Sequence, residues 1–256
     1  MLYQFWIAYL TIARREVLRF TRIWVQTIFP PVMMVALYFI IFGNLIGQRI
    51  GEMDGMNYID FLMPGLVMMS IITNSYTNVV SSFYGAKYSG HIEEMQVAPV
   101  PNIVILLGFV TGGMARGICV GVAVTLVSLL FTDFHMHNPL IVLLVALLTS
   151  CLFSLAGLIN AIFANSFDDI TIIPTFVLTP LTYLGGIFYS IKLLPEFWQT
   201  ASLGNPILYM VNSFRYGFRG SSDIDLPTAL LVIVLFIIAL FTVSLTLLSR
   251  GTGIRQ

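Results

Sequence analysis

The residues of this chain that could do chemistry are few and poorly grouped. His91, Glu93 and Glu94 lie close together, but one imidazole and two carboxylates lack the second histidine of a His-Glu-x-x-His zinc site. Asp133, His135 and His137 alternate just ahead of Asn138-Pro139. In an extended strand they would share a face and could ligate a metal; with no fourth ligand in view, the spacing reads as a solvated turn. No Gly-x-Ser-x-Gly is present, so there is no nucleophile elbow. A phosphate-binding loop requires Gly-Lys-Ser or Gly-Lys-Thr. The two lysines, Lys87 and Lys192, follow Ala86 and Ile191, so any ATP must bind another chain. No cofactor or metal site is expected in this one. The last polar cluster, Asp168-Asp169 with Asn160 and Asn165, is the only candidate for a membrane-embedded enzyme acting on lipid-linked substrates. The simpler reading makes Asp168 or Asp169 the N-cap of a helix, where an acid suits the dipole.

The rest of the chain must place these groups, and it is built for lipid. Its 256 residues are 58% hydrophobic and 9% charged, with a mean hydropathy of +0.92. A soluble domain carries about 25% charged residues. Twelve Lys and Arg balance twelve Asp and Glu, which leaves no basic excess for nucleic acid. These numbers exclude a soluble enzyme, a disordered tail and a nucleic-acid module, and leave an integral membrane protein. Cys119 and Cys151 sit in apolar stretches and read as small buried side chains, not a disulfide framework. The start lacks the basic residues and cleavage site of a signal peptide, so the N-terminus is expected to be retained.

Six apolar runs are each long enough for a hydrocarbon core about 30 Å thick: about 25–46, 59–82, 103–131, 140–164, 170–190 and 227–249. Unsatisfied backbone groups are costly in lipid, so the runs should be helices; they lack the period-two polarity of barrel strands. Residues 3–24 precede them as an amphipathic helix. Trp6, Leu10, Ala13, Val17, Phe20 and Trp24 share one face, opposed by Gln4, Thr11, Arg15, Arg19 and Arg22. Such a helix lies in the membrane interface, in contact with lipid. Arg14, Arg15, Arg19 and Arg22 precede the first run and Arg250 and Arg255 follow the last, which puts both termini in the cytoplasm. Lys192, Arg215 and Arg219 fall on the outer side against this bias, in a compact apolar segment.

The small-residue spacing of Gly108, Gly112, Gly113, Gly117 and Gly121, and of Gly43, Gly47 and Gly51, reads as close helix packing. Arg116 is the one charged residue well inside a run, and it is expected to snorkel to the cytoplasmic face. A proton- or sodium-coupled carrier ordinarily uses a buried carboxylate. With none in mid-span, the energy for uphill transport must enter from elsewhere. The wettest stretch beside a span is Gly85–Pro101. A short helix at about 89–96, stopped by Pro99 and Pro101, would present Glu93 and Glu94 to a docking protein. Leu193–Gly220, rich in Pro, Gly and aromatics, is too apolar for a free loop and fits a re-entrant or interfacial helical hairpin.

Two ordered sets of short motifs carry a resemblance. Tyr58-Ile-Asp-Phe-Leu-Met-Pro64-Gly65 is followed by Gly90-His-Ile-Glu-Glu-Met-Gln-Val-Ala-Pro99-Val-Pro101. Then come Pro180-Leu-Thr-Tyr-Leu-Gly-Gly186-Ile-Phe-Tyr, Leu194-Pro195, Asn205-Pro206 and Arg215. Together they resemble the membrane subunit of an ABC-2 type transporter, closest to small bacterial inner-membrane permeases encoded with a separate ATP-binding subunit. One departure is Tyr183-Leu-Gly185-Gly186, where many members have Leu-Ser-Gly. The resemblance implies an all-α permease exporting an unidentified substrate. Two permease copies would pair with two ATP-binding subunits that hold the ATP and Mg. The 3–24 helix would be the connecting helix, the 191–220 segment the re-entrant hairpin, and 89–97 the coupling helix. The ATPase-facing residues would then be Gly90, His91, Glu93, Glu94, Met95, Val97 and Pro99, within a cytoplasmic coupling loop at 85–101.

Overall fold

The computed structural model describes residues 2–53, 55–132 and 136–253. Asp133, His135 and Arg255 of the sequence reading lie outside them. Helix α1 (Leu2–Arg22) is followed after a one-residue break by α2 (Trp24–Tyr38), which runs on as π-helix over Phe39–Ile46 into the short α3 (Gly47–Ile50). Then come β1 (Glu52–Met53) and β2 (Met56–Asn57), α4 (Tyr58–Tyr88), α5 (His91–Val97), α6 (Asn102–Ser128) and α7 (Pro139–Phe163). The second half adds α8 (Asp169–Ile173), α9 (Thr179–Leu184), α10 (Glu196–Leu203), α11 (Pro206–Arg219) and α12 (Leu226–Arg250).

Among the described residues, four helices are long and apolar enough to cross a membrane: Trp24–Gly43, Asn102–Ser128, Pro139–Phe163 and Leu226–Arg250. These match the first, third, fourth and sixth apolar runs. The other two runs differ in kind. Helix α4 has 31 residues but carries Asn74, Ser75, Asn78, Ser81 and Ser82. It is the centre of the bundle, packed between α6 and α7, so protein covers all of these polar positions but Ser81. It also overruns its expected end at 82 and carries rigid helix to Tyr88. The fifth run is broken. Between α8 and α9 the backbone is π-helical over Pro174–Leu178, because Pro174 and Pro180 lack N–H donors and leave carbonyls free. The Asn160 amide donates to one of these, Ile170 O, at 3.2 Å, and the Thr179 hydroxyl adds a bond to Pro174 O at 2.9 Å. The helix stops at Leu184, short of 190, where Gly185-Gly186 follow.

The all-α expectation holds, with one small addition to it. Glu52–Met53 and Met56–Asn57 form a short antiparallel ribbon, with Glu52 paired to Asn57 and Met53 to Met56. A left-handed Gly55 (φ 75°) lies in its turn, a conformation glycine adopts without steric cost.

The glycine stripe of α6 is a packing seam, as its spacing suggests. Gly108 and Gly112 admit Ile12 and Glu16 of α1, and Gly117 and Gly121 admit Ser75 and Ile71 of α4. On α7, Gly157 lies so close to α4 that a Cβ there would sit 2.6 Å from the Tyr76 carbonyl oxygen. The cysteines are not uniformly buried: Cys119 is exposed and Cys151 half-buried, both as free thiols. Both α2 and α12 leave most of their apolar surface uncovered, including Trp24, Phe29, Leu231, Leu235 and Ile238.

Candidate functional site

The end of the bundle that carries α5 is assembled from α4 outward. Helix α4 closes at Tyr88, and the chain turns at Gly90 with φ 75°, a left-handed backbone that costs glycine nothing. Helix α5 follows and ends at Val97, because Ala98 is extended (ψ 150°) ahead of Pro99. It begins two residues later than the sequence suggests. Ile92 is fully buried and anchors it, while Met95 is half-buried against the core. Gln96 Nε2 donates to the Leu248 carbonyl at 3.3 Å, fastening the helix to the end of α12. The opposite face projects outward. His91, Glu93, Glu94 and Pro99 are exposed, and Val97 is 89% exposed. No ion pair links Glu93 or Glu94 to a described residue. The predicted coupling residues are thus split, with Gly90 at the hinge, Met95 directed inward and the remainder on one free surface.

Lys87 braces the platform above this knob. Its ammonium donates to the Ile162 and Ala164 carbonyls at 2.8 and 2.7 Å, two of the acceptors that the end of α7 leaves unsatisfied. Partial burial lowers its pKa. Tyr84 and Tyr88 pack on Phe167, with ring centroids 4.9 and 5.4 Å apart. The nearby acids are consumed by capping. Asp169 Oδ2 accepts the Asn165 and Ser166 backbone N–H groups at 2.9 and 3.1 Å, and Ser166 Oγ accepts the Asp169 N–H. Those bonds, with Asn165 foremost, hold the Asp169 carboxyl below the usual range. The N-cap of α8 is therefore not made by an aspartate side chain: Asp168 makes no such bond and Asp169 reaches back to the preceding turn. Asn160 donates to the Ile170 carbonyl. This cluster is structural, with no free acid facing a base.

Helix α1 departs most from its sequence reading. Its buried face is Ala13, Glu16 and Phe20, while Trp6 and Leu10 of the apolar stripe are exposed. The sequence does not single out Glu16, yet only 1% of its side chain is exposed. Its carboxylate accepts from the Ser82 hydroxyl, from Arg15 at 3.1 Å, and lies 3.4 Å from Arg19 Nε. Arg19 in turn donates to both Asn78 O and Asn78 Oδ1 of α4 at 2.9 and 2.8 Å. Arg19 is therefore not on an outward arginine face; it turns in and ties α1 to α4. Arg15 lies 5.5 Å from the Phe109 ring centroid, and Arg22 remains exposed. The one clue in the sequence is that Glu16 shares a helix face with the apolar Ala13 and Phe20 and falls one turn before Arg19.

Arg116 does not snorkel. It lies in mid-helix, about 21 Å along the axis from the start of α6 at 1.5 Å per residue, and donates to Asn74 Oδ1 at 3.3 Å. Asn74, Asn78 and Ser82 repeat every fourth residue on α4 and so share one face. They meet Arg116, Arg19 and Glu16 in turn.

At the opposite end, the separated motifs of the sequence converge on residues 185–188. The Tyr58 hydroxyl donates to Phe188 O at 3.0 Å. Gly65 lets Ile187 approach; a Cβ there would lie 2.9 Å from its carbonyl oxygen. Arg215, 3% exposed, donates to Gly186 O at 2.9 Å and stacks 3.9 Å from the centroid of Phe61. Asn205 caps α11 through Ile207 N and donates to Leu181 O at 2.6 Å. Lys192 pairs with Asp223 at 2.6 Å. Lys192 and Arg215, which break the charge bias, are thus held by the protein. His137 N donates to Phe218 O, and Asn138 caps α7 through Leu140 and Ile141.

An apolar helical bundle with four membrane-length helices and a small exposed helix projecting at one end defines an integral membrane protein. A family model described as ABC-2 type transporter matches residues 7–218, and the chain belongs to that family. It is 56% identical, over the full length of both chains, to the inner membrane transport permease YadH of Escherichia coli strain K12. It is 22% identical to nodulation protein J of Rhizobium leguminosarum bv. viciae over 94% of each chain. It is also 24% identical to nodulation protein J of Neorhizobium galegae, over 84% of this chain and 82% of that one. The protein is a multi-pass transport permease of the inner membrane.

Proposed function

We propose that this chain lines the pathway of an ATP-driven exporter, as one of two permease copies paired with two ATP-binding subunits that carry the ATP and Mg. In this reading the chain crosses the membrane six times with both termini in the cytoplasm, so α5 is on the ATPase side. Helix α1 is the connecting helix at the membrane surface, and α10–α11 form a re-entrant hairpin at the outer mouth. The observation that carries the reading is α5 itself: one buried anchor, Ile92, beneath an exposed surface of Glu93, Glu94 and Val97. Such a helix is stable only because its inner face is held, and its outer face offers two carboxylates and an apolar tip to a basic, apolar-lined cleft.

Closure of the ATPase pair on nucleotide would move α5. Only the turn at Ser89-Gly90 separates it from α4, so displacement passes into the centre of the bundle. A partner shifts the balance between inward- and outward-facing states only by binding them differently. The test is the double variant Glu93→Lys/Glu94→Lys, reconstituted with the ATPase. It should insert and fold normally, yet lose stimulated ATP hydrolysis and transport together. Wild-type transport by this variant would remove α5 from the coupling role.

A further inference from the structure

A cleft of about 600 Å³ opens where α1, α4 and the start of α5 meet. Arg15, Arg19, Arg22, Ser82, Ser89 and His91 contribute its polar lining, and Leu18 and Ile23 its apolar rim. Three arginines face a single lining carboxylate, Glu16, which is already engaged by Ser82, Arg15 and Arg19. Arg22, at the open end, forms no ion pair with a described residue. The cleft therefore keeps positive charge that its own walls do not neutralise. Hydroxyl and guanidinium donors around one space suit the oxygens of a phosphate.

The rim says which phosphate. Leu18 and Ile23 are 42% and 44% exposed, and they run on into Trp24, Val25 and Phe29, all exposed. A soluble anion would gain nothing from such a border, whereas acyl chains would lie along it. We propose that this cleft binds the headgroup of an anionic phospholipid, with the phosphate against Arg22 and its chains against Ile23 and α2. Because Ser89 and His91 belong to the α4–α5 junction, the bound lipid would bear on the turn that joins those two helices. The proposal rests on the reading that α1 lies at the membrane surface, but not on α5 docking an ATPase.

The test uses the full-length permease alone, purified in mild detergent with phosphatidylglycerol and phosphatidylcholine, and native mass spectrometry of the lipid retained. Arg22→Gln should reduce retained phosphatidylglycerol about fivefold, the effect of one arginine near an anionic surface. Arg22→Lys should keep most of it. Arg14→Gln removes the same charge from the same helix outside the cleft and should leave retention near wild type. Monodisperse elution of each variant excludes misfolding. Equal losses in Arg14→Gln and Arg22→Gln would mean diffuse surface charge and overturn the site. Displacement of the lipid by millimolar glycerol phosphate would assign a soluble anion instead. Unchanged lipid in Arg22→Gln, with lost co-purification of the ATPase on co-expression, would make the cleft a protein-docking surface. Each of these three results refutes the lipid assignment, and none of them bears on the Glu93/Glu94 experiment.

Discussion

Removing Arg19 tests whether the polar ties from α1 to α4 rest on a buried charge pair within α1. In Arg19→Met the side-chain stem is kept, but Glu16 loses the guanidinium at 3.4 Å and Asn78 loses both bonds. Stranding one member of a buried ion pair costs about 3–5 kcal/mol. Two features reduce that figure here. Arg15 still reaches Glu16, and Arg19 is 34% exposed, so water screens part of the interaction. A loss of about 2–3 kcal/mol is expected, which for a chain of this size lowers the melting temperature by roughly 4–12 °C at 2–4 °C per kcal/mol. Glu16→Gln removes the charge but keeps an acceptor for Ser82, and should cost about 1 kcal/mol. The double variant carries the decisive information. If the charges interact, it should be less damaged than the sum of the singles by at least about 1 kcal/mol. Thermal unfolding in one detergent, read by near-ultraviolet circular dichroism, gives all four corners of the cycle. Additivity within about 0.5 kcal/mol would show that the two groups do not sense each other and would refute the charge pair.

Lys87→Met should free the Ile162 and Ala164 carbonyls and cost about 1–3 kcal/mol, seen as faster hydrogen exchange confined to the α4 and α7 ends; uniform exchange would deny Lys87 a bracing role. Gly157→Ala drives a methyl toward the Tyr76 carbonyl and should lower the melting temperature. Gly85→Ala meets nothing within 4 Å and should be neutral or raise stability by up to about 1 kcal/mol; the same thermal scan compares them. Asp225 caps α12 through Thr228 N at 3.0 Å, and its bonds to Thr228 hold its carboxyl below the usual range. A depressed folded pKa gives stability that is present above the unfolded value of about 3.9 and lost as pH falls through the folded value. The stability gap between wild type and Asp225→Asn should therefore shrink on acidification, and a gap independent of pH would contradict the cap.

How much of the molecule is legible in its sequence depends on which solvent each residue faces. Apolar runs that meet lipid are continuous in sequence, so α2, α6, α7 and α12 can be read directly from it. The stop of α5 before Pro99 and the packing glycines of α6 are equally readable, because each follows from one residue's geometry. The inward turn of Arg19 and the burial of Glu16 are not. A helix wheel puts Glu16 among Ala13, Val17 and Phe20, and hydropathy alone treats a lone acid there as noise. Only the stripe of Asn74, Asn78 and Ser82 on another helix gives it a partner, and that pairing joins residues 66 apart in the chain. Arg116 misleads for the same reason: snorkelling is the cheap solution on a lipid-facing helix, and Asn74 supplies a cheaper one inside. The ribbon at 52–57 leaves no signal beyond Gly55.

The same reasoning explains why the central helix is less greasy than the four membrane-length helices. A helix bathed in lipid must bury its polar groups or do without them, since hydrocarbon offers no partners. Helix α4 is walled by α6, α7 and, through the polar stripe, α1. It can therefore carry amides and hydroxyls at four-residue spacing, each answered by an arginine or a glutamate from a neighbour. Van der Waals seams between apolar helices let them slide, because one close-packed register differs little from the next. Directional bonds to charged groups hold their register more tightly, since each must keep its geometry in a medium that penalises a lost partner. The polar stripe therefore ties α1, α4 and α6 to one another. The knob at its foot, α5, is joined to these tied helices by the short turn at Ser89-Gly90.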